Sequence, residues 1–313
     1  MSFVLQKDRS ISDVLVDTIQ FVKHHYKLML TPMLYIIIPV GILAILSQIY
    51  AYRIMSSAFA GSLDFTSNDF IMIMGFAAVF GLLAFVLFFC AMLIGMGAVR
   101  QVYEGDTADD YVSYLLRKNL LPFIGLAILY GLAYFIGFIF LIIPGIYLAF
   151  ALYPSFAAFI FERKSVVESL KRGHELSKEN WWFIVGAAFL MYLLMFGIDF
   201  VTDLPGSIIS FILGMGTNPE AVFMQEGISA AYIIIAVLSG IGYMITFLLY
   251  ALVGVHVAIL YFTLRERKEG DSLADEMAEF ESDLSDESAD DGFGKDDGLG
   301  SDPDSDRNNP DWR

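Results

Sequence analysis

A single cysteine, Cys90, stands in 313 residues, and it lies inside an apolar run. One thiol cannot build a disulfide framework, and its ordinary role in such surroundings is that of a small buried hydrophobe. Charge is scarce as well: Asp, Glu, Lys and Arg make up 17% of the chain, against about a quarter in soluble domains. No Lys, Arg, Asp or Glu falls in the middle of a long apolar run. That absence weakens any reading as a transporter, which needs polar groups along its path. There is also no phosphate-binding P-loop, GxSxG elbow, HExxH helix or dinucleotide fingerprint. Nothing therefore points to an enzyme, and no cofactor, bound metal or nucleic-acid partner is expected.

What the chain does have is length in its apolar runs. Hydrophobic residues are 57% of the total, and runs of about 18 or more imply helices that cross a bilayer. Six such spans are expected, at about 28–50, 70–99, 120–142, 146–161, 181–200 and 228–264. The fold class is all-α: a polytopic membrane protein with amphipathic interfacial helices before spans 1, 3 and 5, and a disordered tail. Residues 11–26 place Ile11, Leu15, Thr18, Ile19, Val22 and Tyr26 on one helical face, the pattern of a helix lying among headgroups. The residues before the first run do not form a cleavable signal-peptide pattern.

The turns are read from Pro and Gly. Pro144-Gly145 predicts a tight corner between spans three and four, and Pro154 a bend in the fourth. Pro205-Gly206 predicts a loop over 201–227, whose apolar piece near 206–214 is too short to cross and reads as interfacial or re-entrant. Gly240 and Gly242 predict a kink in the sixth run. Capping-box patterns open the stretch before each odd-numbered span: Ser10 with Asp13, Thr107 with Asp110, Ser165 with Glu168. The chain thus reads as three copies of an interfacial helix followed by a hairpin. Small residues four apart (Ala77/Gly81, Ala91/Gly95, Ala127/Gly131, Ala133/Gly137) predict close helix approaches.

Charge is unevenly placed. The formal net charge is −16, but residues 269–313 carry 17 acidic residues against Lys295, Arg307 and Arg313. Two domains follow: a six-helix transmembrane domain over 1–268 and an acidic, disordered cytoplasmic tail over 269–313. Within that tail Leu273, Met277, Phe280 and Leu284 are spaced for a short helix over 272–284 that could dock on a cytoplasmic protein partner. With the N-terminus inside, 15 basic residues of the body flank the spans on the cytoplasmic side and only Arg53 falls outside. The expected location is a bacterial cytoplasmic (inner) membrane, with both termini cytoplasmic.

Candidate site residues are few. Arg163, Lys164, Lys171, Arg172 and Lys178 cluster at the inner interface and could hold anionic headgroups of membrane lipids. The ordinary alternative is an interfacial helix whose basic side chains snorkel. His256 in the last run is read as a neutral histidine hydrogen-bonded to a neighbouring helix, the sharper alternative being a proton relay or ligand. Asp199 and Asp203 share a face at the outer end of span five. They could hold a cation, but no third ligand is evident, and solvated interface carboxylates are the plainer reading.

Residues 140–185 carry a resemblance. Pro144, Gly145, Tyr147, Leu148, Glu162, Ser169, Leu170 and Trp182 form a pattern similar to the membrane domain of glycerophosphodiester phosphodiesterases and its stand-alone six-span relatives. No segment could fold into the catalytic barrel, so the resemblance implies the membrane fold without hydrolase activity. The function expected is a non-enzymatic organiser or accessory subunit that binds anionic lipid and, through its tail, a partner. The alternative is a transporter or lipid translocator with a path between the hairpin repeats.

Overall fold

A backbone crossing lipid must satisfy its own N–H and C=O groups, which leaves helices or closed barrels. A computed structural model of the chain describes residue 5 and residues 7–59, 68–212 and 230–290. All the regular structure among them is helical: α1 Ile11–Phe59, α2 Asn68–Glu104, α3 Tyr111–Phe140, α4 Ile142–Ala151, α5 Ser155–Glu162, α6 Val166–Ser177, α7 Trp181–Ile212, α8 Ala230–Leu249 and α9 Ala251–Asp290. Six segments are long and apolar enough to cross a bilayer, and α4 and α5 together make the fourth. This is a multi-pass membrane protein. Outward-facing Leu121, Phe140 and Ile143 are among its most exposed side chains, as expected where the solvent is hydrocarbon.

The chain divides into two compact units, Met1–Lys268 and Glu269–Arg313. In the second, residues 269–290 are helical. The expected docking stretch 272–284 lies within that helix, and residues 291–313 lie outside the described residues.

Several corners differ from expectation. α1 bends at His25, whose backbone leaves the helical region at φ −118°, ψ 16°, so residues 11–24 are set off from the first span. There the His24 and His25 rings approach the carbonyls of Gln20 and Phe21 at 2.7 and 3.2 Å. Before the third span no separate interfacial helix exists; residues 111–119 are the first turns of α3 itself. Between spans three and four the break is at extended Leu141 (φ −165°, ψ 144°), and Pro144-Gly145 sits in the first turn of α4. A proline is tolerated there because its missing N–H has no helical partner to lose. Pro154 does mark a break, the turn 152–154 between α4 and α5.

The expected loop at 201–212 is also absent. α7 runs through Pro205 to Ile212, so its apolar end is neither a loop nor a re-entrant piece; 213–229 lie outside the described residues. In the last run the interruption falls at Tyr250, roughly two to three turns beyond Gly240 and Gly242. Those two glycines instead permit close approach, Gly240 to Ile45 of α1 and Gly242 to the Thr202 carbonyl of α7.

The core forms where α2 meets α9. Gly95 presses against the Ala251 carbonyl and Gly254 against that of Met92, so a side chain at either would collide with backbone. Gly137 likewise lies against Gly145 across the α3–α4 corner. Of the four small-residue pairs read from sequence, those ending in Gly95 and Gly137 mark such approaches. Gly81 and Gly131 face open space. A triangle of Phe89, Phe123 and Phe156, centroids 5.4–6.1 Å apart, joins α2, α3 and α5.

Candidate functional site

Polar side chains gather at one end of the bundle, where α2 and α5 finish and α3, α6 and α7 begin. The short connection after α2 sets their positions. Gly105 takes a left-handed φ of 68°, which glycine adopts at no steric cost. This allows the Asp106 N–H to reach back 3.1 Å to the Gln101 carbonyl, a helix-ending arrangement. Gln101 then donates to the Ala108 carbonyl at 2.7 Å, pinning the loop. The start of α3 is thereby held beside the end of α2.

Across this corner Glu104 gathers three donors: Arg100 Nε at 2.9 Å, the Tyr111 hydroxyl at 2.5 Å and Arg163 at 3.1 Å. Arg100 is nearly buried and also donates to the Ile160 carbonyl of α5 at 2.9 Å. Charge-assisted bonds of this kind are the strong ones. Arg163, by contrast, is 72% exposed in its side chain. It ends α5 in the left-handed conformation, φ 54°, an uncommon state for a residue with a Cβ.

Glu162, one residue earlier, organises the other side. It accepts from Arg172 Nε at 2.8 Å, from the Tyr261 hydroxyl at 2.6 Å and pairs with Lys164 at 2.5 Å. Helix α6 is anchored by a full capping box, in which Ser165 and Glu168 bond each other's backbone N–H. Those bonds from the Ser165 side chain and backbone hold the Glu168 carboxyl below its ordinary value. Farther along α6, Gly173 lies against Ser155 and the Ser177 hydroxyl donates to the Ala151 carbonyl at 2.7 Å. At the same end Arg267 bonds Asp8 at 2.6 Å and stacks 3.9 Å over the Phe183 ring.

A cleft of about 510 Å³ opens between α2, α3 and the α5–α6 corner, within the range of about 300–1,000 Å³ usual for small-ligand sites. Its charged lining is Arg100, Lys118, Arg163 and Lys164 against one carboxylate, Glu104. Lys118 lies 5.6 Å from the Tyr114 ring centroid. Cationic side chains thus outnumber carboxylates in the lining of this cleft.

The five basic candidates from sequence therefore separate. Arg163 and Lys164 line the cleft; Arg172 supports Glu162; Lys171 on α6 and Lys178 just after it are exposed. Arg100, Lys118 and Glu104 were not candidates. Their sequence signal was only their place among the basic and acidic residues flanking spans, and the turn at Gly105 is what brings them to Arg163. His256 is fully buried, and neither ring nitrogen has a hydrogen-bond partner among the described residues. The expected bond to a neighbouring helix is not made. Asp199 and Asp203 remain a pair on α7, and no group of three or more potential metal ligands occurs among the described residues. Comparison with protein-family models, curated proteins and solved structures finds no match to this chain.

Proposed function

We propose that the chain is a non-enzymatic organiser or accessory subunit of a bacterial cytoplasmic membrane that holds anionic lipid headgroups at its basic end. The observation that carries this reading is the cleft, where four cationic side chains face a single carboxylate. The basic end is read as cytoplasmic because Lys and Arg flank the spans there. Lys171 on α6 and Lys178 just after it, both exposed, extend the cationic surface towards neighbouring headgroups. The acidic residues from 269 onward would recruit a protein partner, since anionic lipid repels them. On this reading the resemblance to the phosphodiesterase membrane domain is one of membrane fold, without hydrolase chemistry.

The test is native mass spectrometry of the purified protein after exposure to mixed neutral and anionic phospholipids. Retained lipid should be enriched in anionic species. Arg163→Gln with Lys118→Gln should lower that enrichment on the order of tenfold, as for lost hydrogen bonds to charged groups, and added salt should weaken what remains. Retention of neutral and anionic lipids in the proportions supplied would refute the reading.

A further inference from the structure

The charge balance of the cleft narrows its ligand. We propose that it takes a phosphomonoester, the doubly charged form of phosphate, in preference to the singly charged phosphodiester of most bilayer lipids. This inference rests on the headgroup reading above and specifies it.

The lining holds Arg100, Lys118, Arg163 and Lys164 against Glu104, an excess of three positive charges. Glu162, which holds Lys164, also holds Arg172. Counting that pair of neighbours as well leaves the excess unchanged. A diester would leave two of those charges uncompensated and a monoester one. In a partly enclosed site each remaining imbalance costs more than it would in water.

Geometry agrees with the charge count. Arg100 is committed to Glu104 and to the Ile160 carbonyl, so it sets the field and positions the carboxylate. The groups left to meet a ligand are Lys118 from α3 and Arg163 and Lys164 from the corner after α5. The Lys164 ammonium pairs with Glu162 but carries three donors and so keeps others for a ligand. Arg163 uses one guanidinium nitrogen on Glu104, at 3.1 Å, and a planar guanidinium carries further donors. Three cations thus approach from two sides. A monoester presents three terminal oxygens as acceptors, whereas a diester has two. One oxygen for each cation is an arrangement only the monoester can complete.

The experiment uses the full chain and vesicles of phosphatidylcholine, either alone or doped with an equal share of phosphatidic acid or of phosphatidylglycerol. Phosphatidic acid should be captured on the order of tenfold better than phosphatidylglycerol, the worth of one added bond to a charged group. Lys118→Gln should abolish that preference and Lys118→Arg should keep it, with thermal melting confirming that both variants fold. Inorganic phosphate supplies the second arm. If it displaces phosphatidic acid from the wild type, the phosphomonoester chemistry holds and its source can be soluble. If it does not, while the lipid preference stands, the chemistry holds with a lipid source. Equal capture of the two anionic lipids, both above phosphatidylcholine, overturns this inference and leaves the parent reading intact. Equal capture of all three overturns both.

Discussion

Two residues carry much of what the α5–α6 segment can do, and each is unusual for a different reason. Gly173 has no room for a Cβ: one built there would stand 2.7 Å from the Ser155 backbone nitrogen and 2.9 Å from its Cα. Backbone cannot swing aside as a long side chain would. Gly173→Ala should therefore cost about 1–3 kcal/mol, read as a lower melting temperature in detergent. Gly131→Ala is the control, since nothing lies within 4 Å of its Cβ position, and it should be neutral or gain from helix propensity. Equal losses at both positions would show that packing against Ser155 is not the cause. Arg163 poses the opposite case. Its left-handed backbone favours glycine, and a strained residue kept at a cleft is a pointer to function. Arg163→Gly should hold or raise the melting temperature while lowering anionic-lipid capture. A protein that melts earlier yet binds lipid normally would make Arg163 a structural residue.

At the scale of elements, helix starts explain which sequence signals were legible. Ser165 and Glu168 complete their capping box, and Ser10 with Asp13 makes an equivalent exchange at 3.2 and 3.3 Å. Asp110 caps α3 with no side-chain hydrogen bond, although Thr107 and Asp110 fit the same pattern in sequence. Ser165→Ala should thus cost about 1 kcal/mol, and Asp110→Ala should be close to neutral by the same thermal measurement. The cap also has a pH signature. The folded Glu168 carboxyl titrates below its ordinary value, so its contribution is complete above about pH 4.3. It is lost as acid takes the pH down through the folded value. Hydrogen exchange at the amides of Glu168 and its neighbours should quicken in that acid window; a cap untouched by acid would break the assignment.

The long apolar runs declared six helical spans because hydrophobic length leaves so few alternatives in lipid. Their interruptions were harder to read. Pro144 and Pro205 looked like corners but sit where a helix tolerates them, at a first turn and inside a span end. Tyr250 carries no breaker signal and yet interrupts the last run. The cleft was less legible still, because α2 and the α5–α6 corner are 59 residues apart where Glu104 meets Arg163.

For the molecule as a whole, the cleft matters only if its end faces the cytoplasm. Charge decides this in the reading given above: 15 basic residues of the body flank one side and Arg53 alone the other. A body held together by the α2–α9 contact and by polar bonds within Met1–Lys268 should not need the acidic unit for its fold. A chain ending at Lys268 should then melt within a few degrees of the full protein, and a collapse of its thermal transition would refute that independence. The orientation can be tested in the same background. Cys90 is buried, so the native thiol competes little with introduced ones. Arg53→Cys should react with a membrane-impermeant maleimide in intact cells. Lys178→Cys, exposed on the basic end, should react only after the membrane is opened. The reverse pattern would put the cleft outside the cell, where the cytoplasmic leaflet could not supply its ligand.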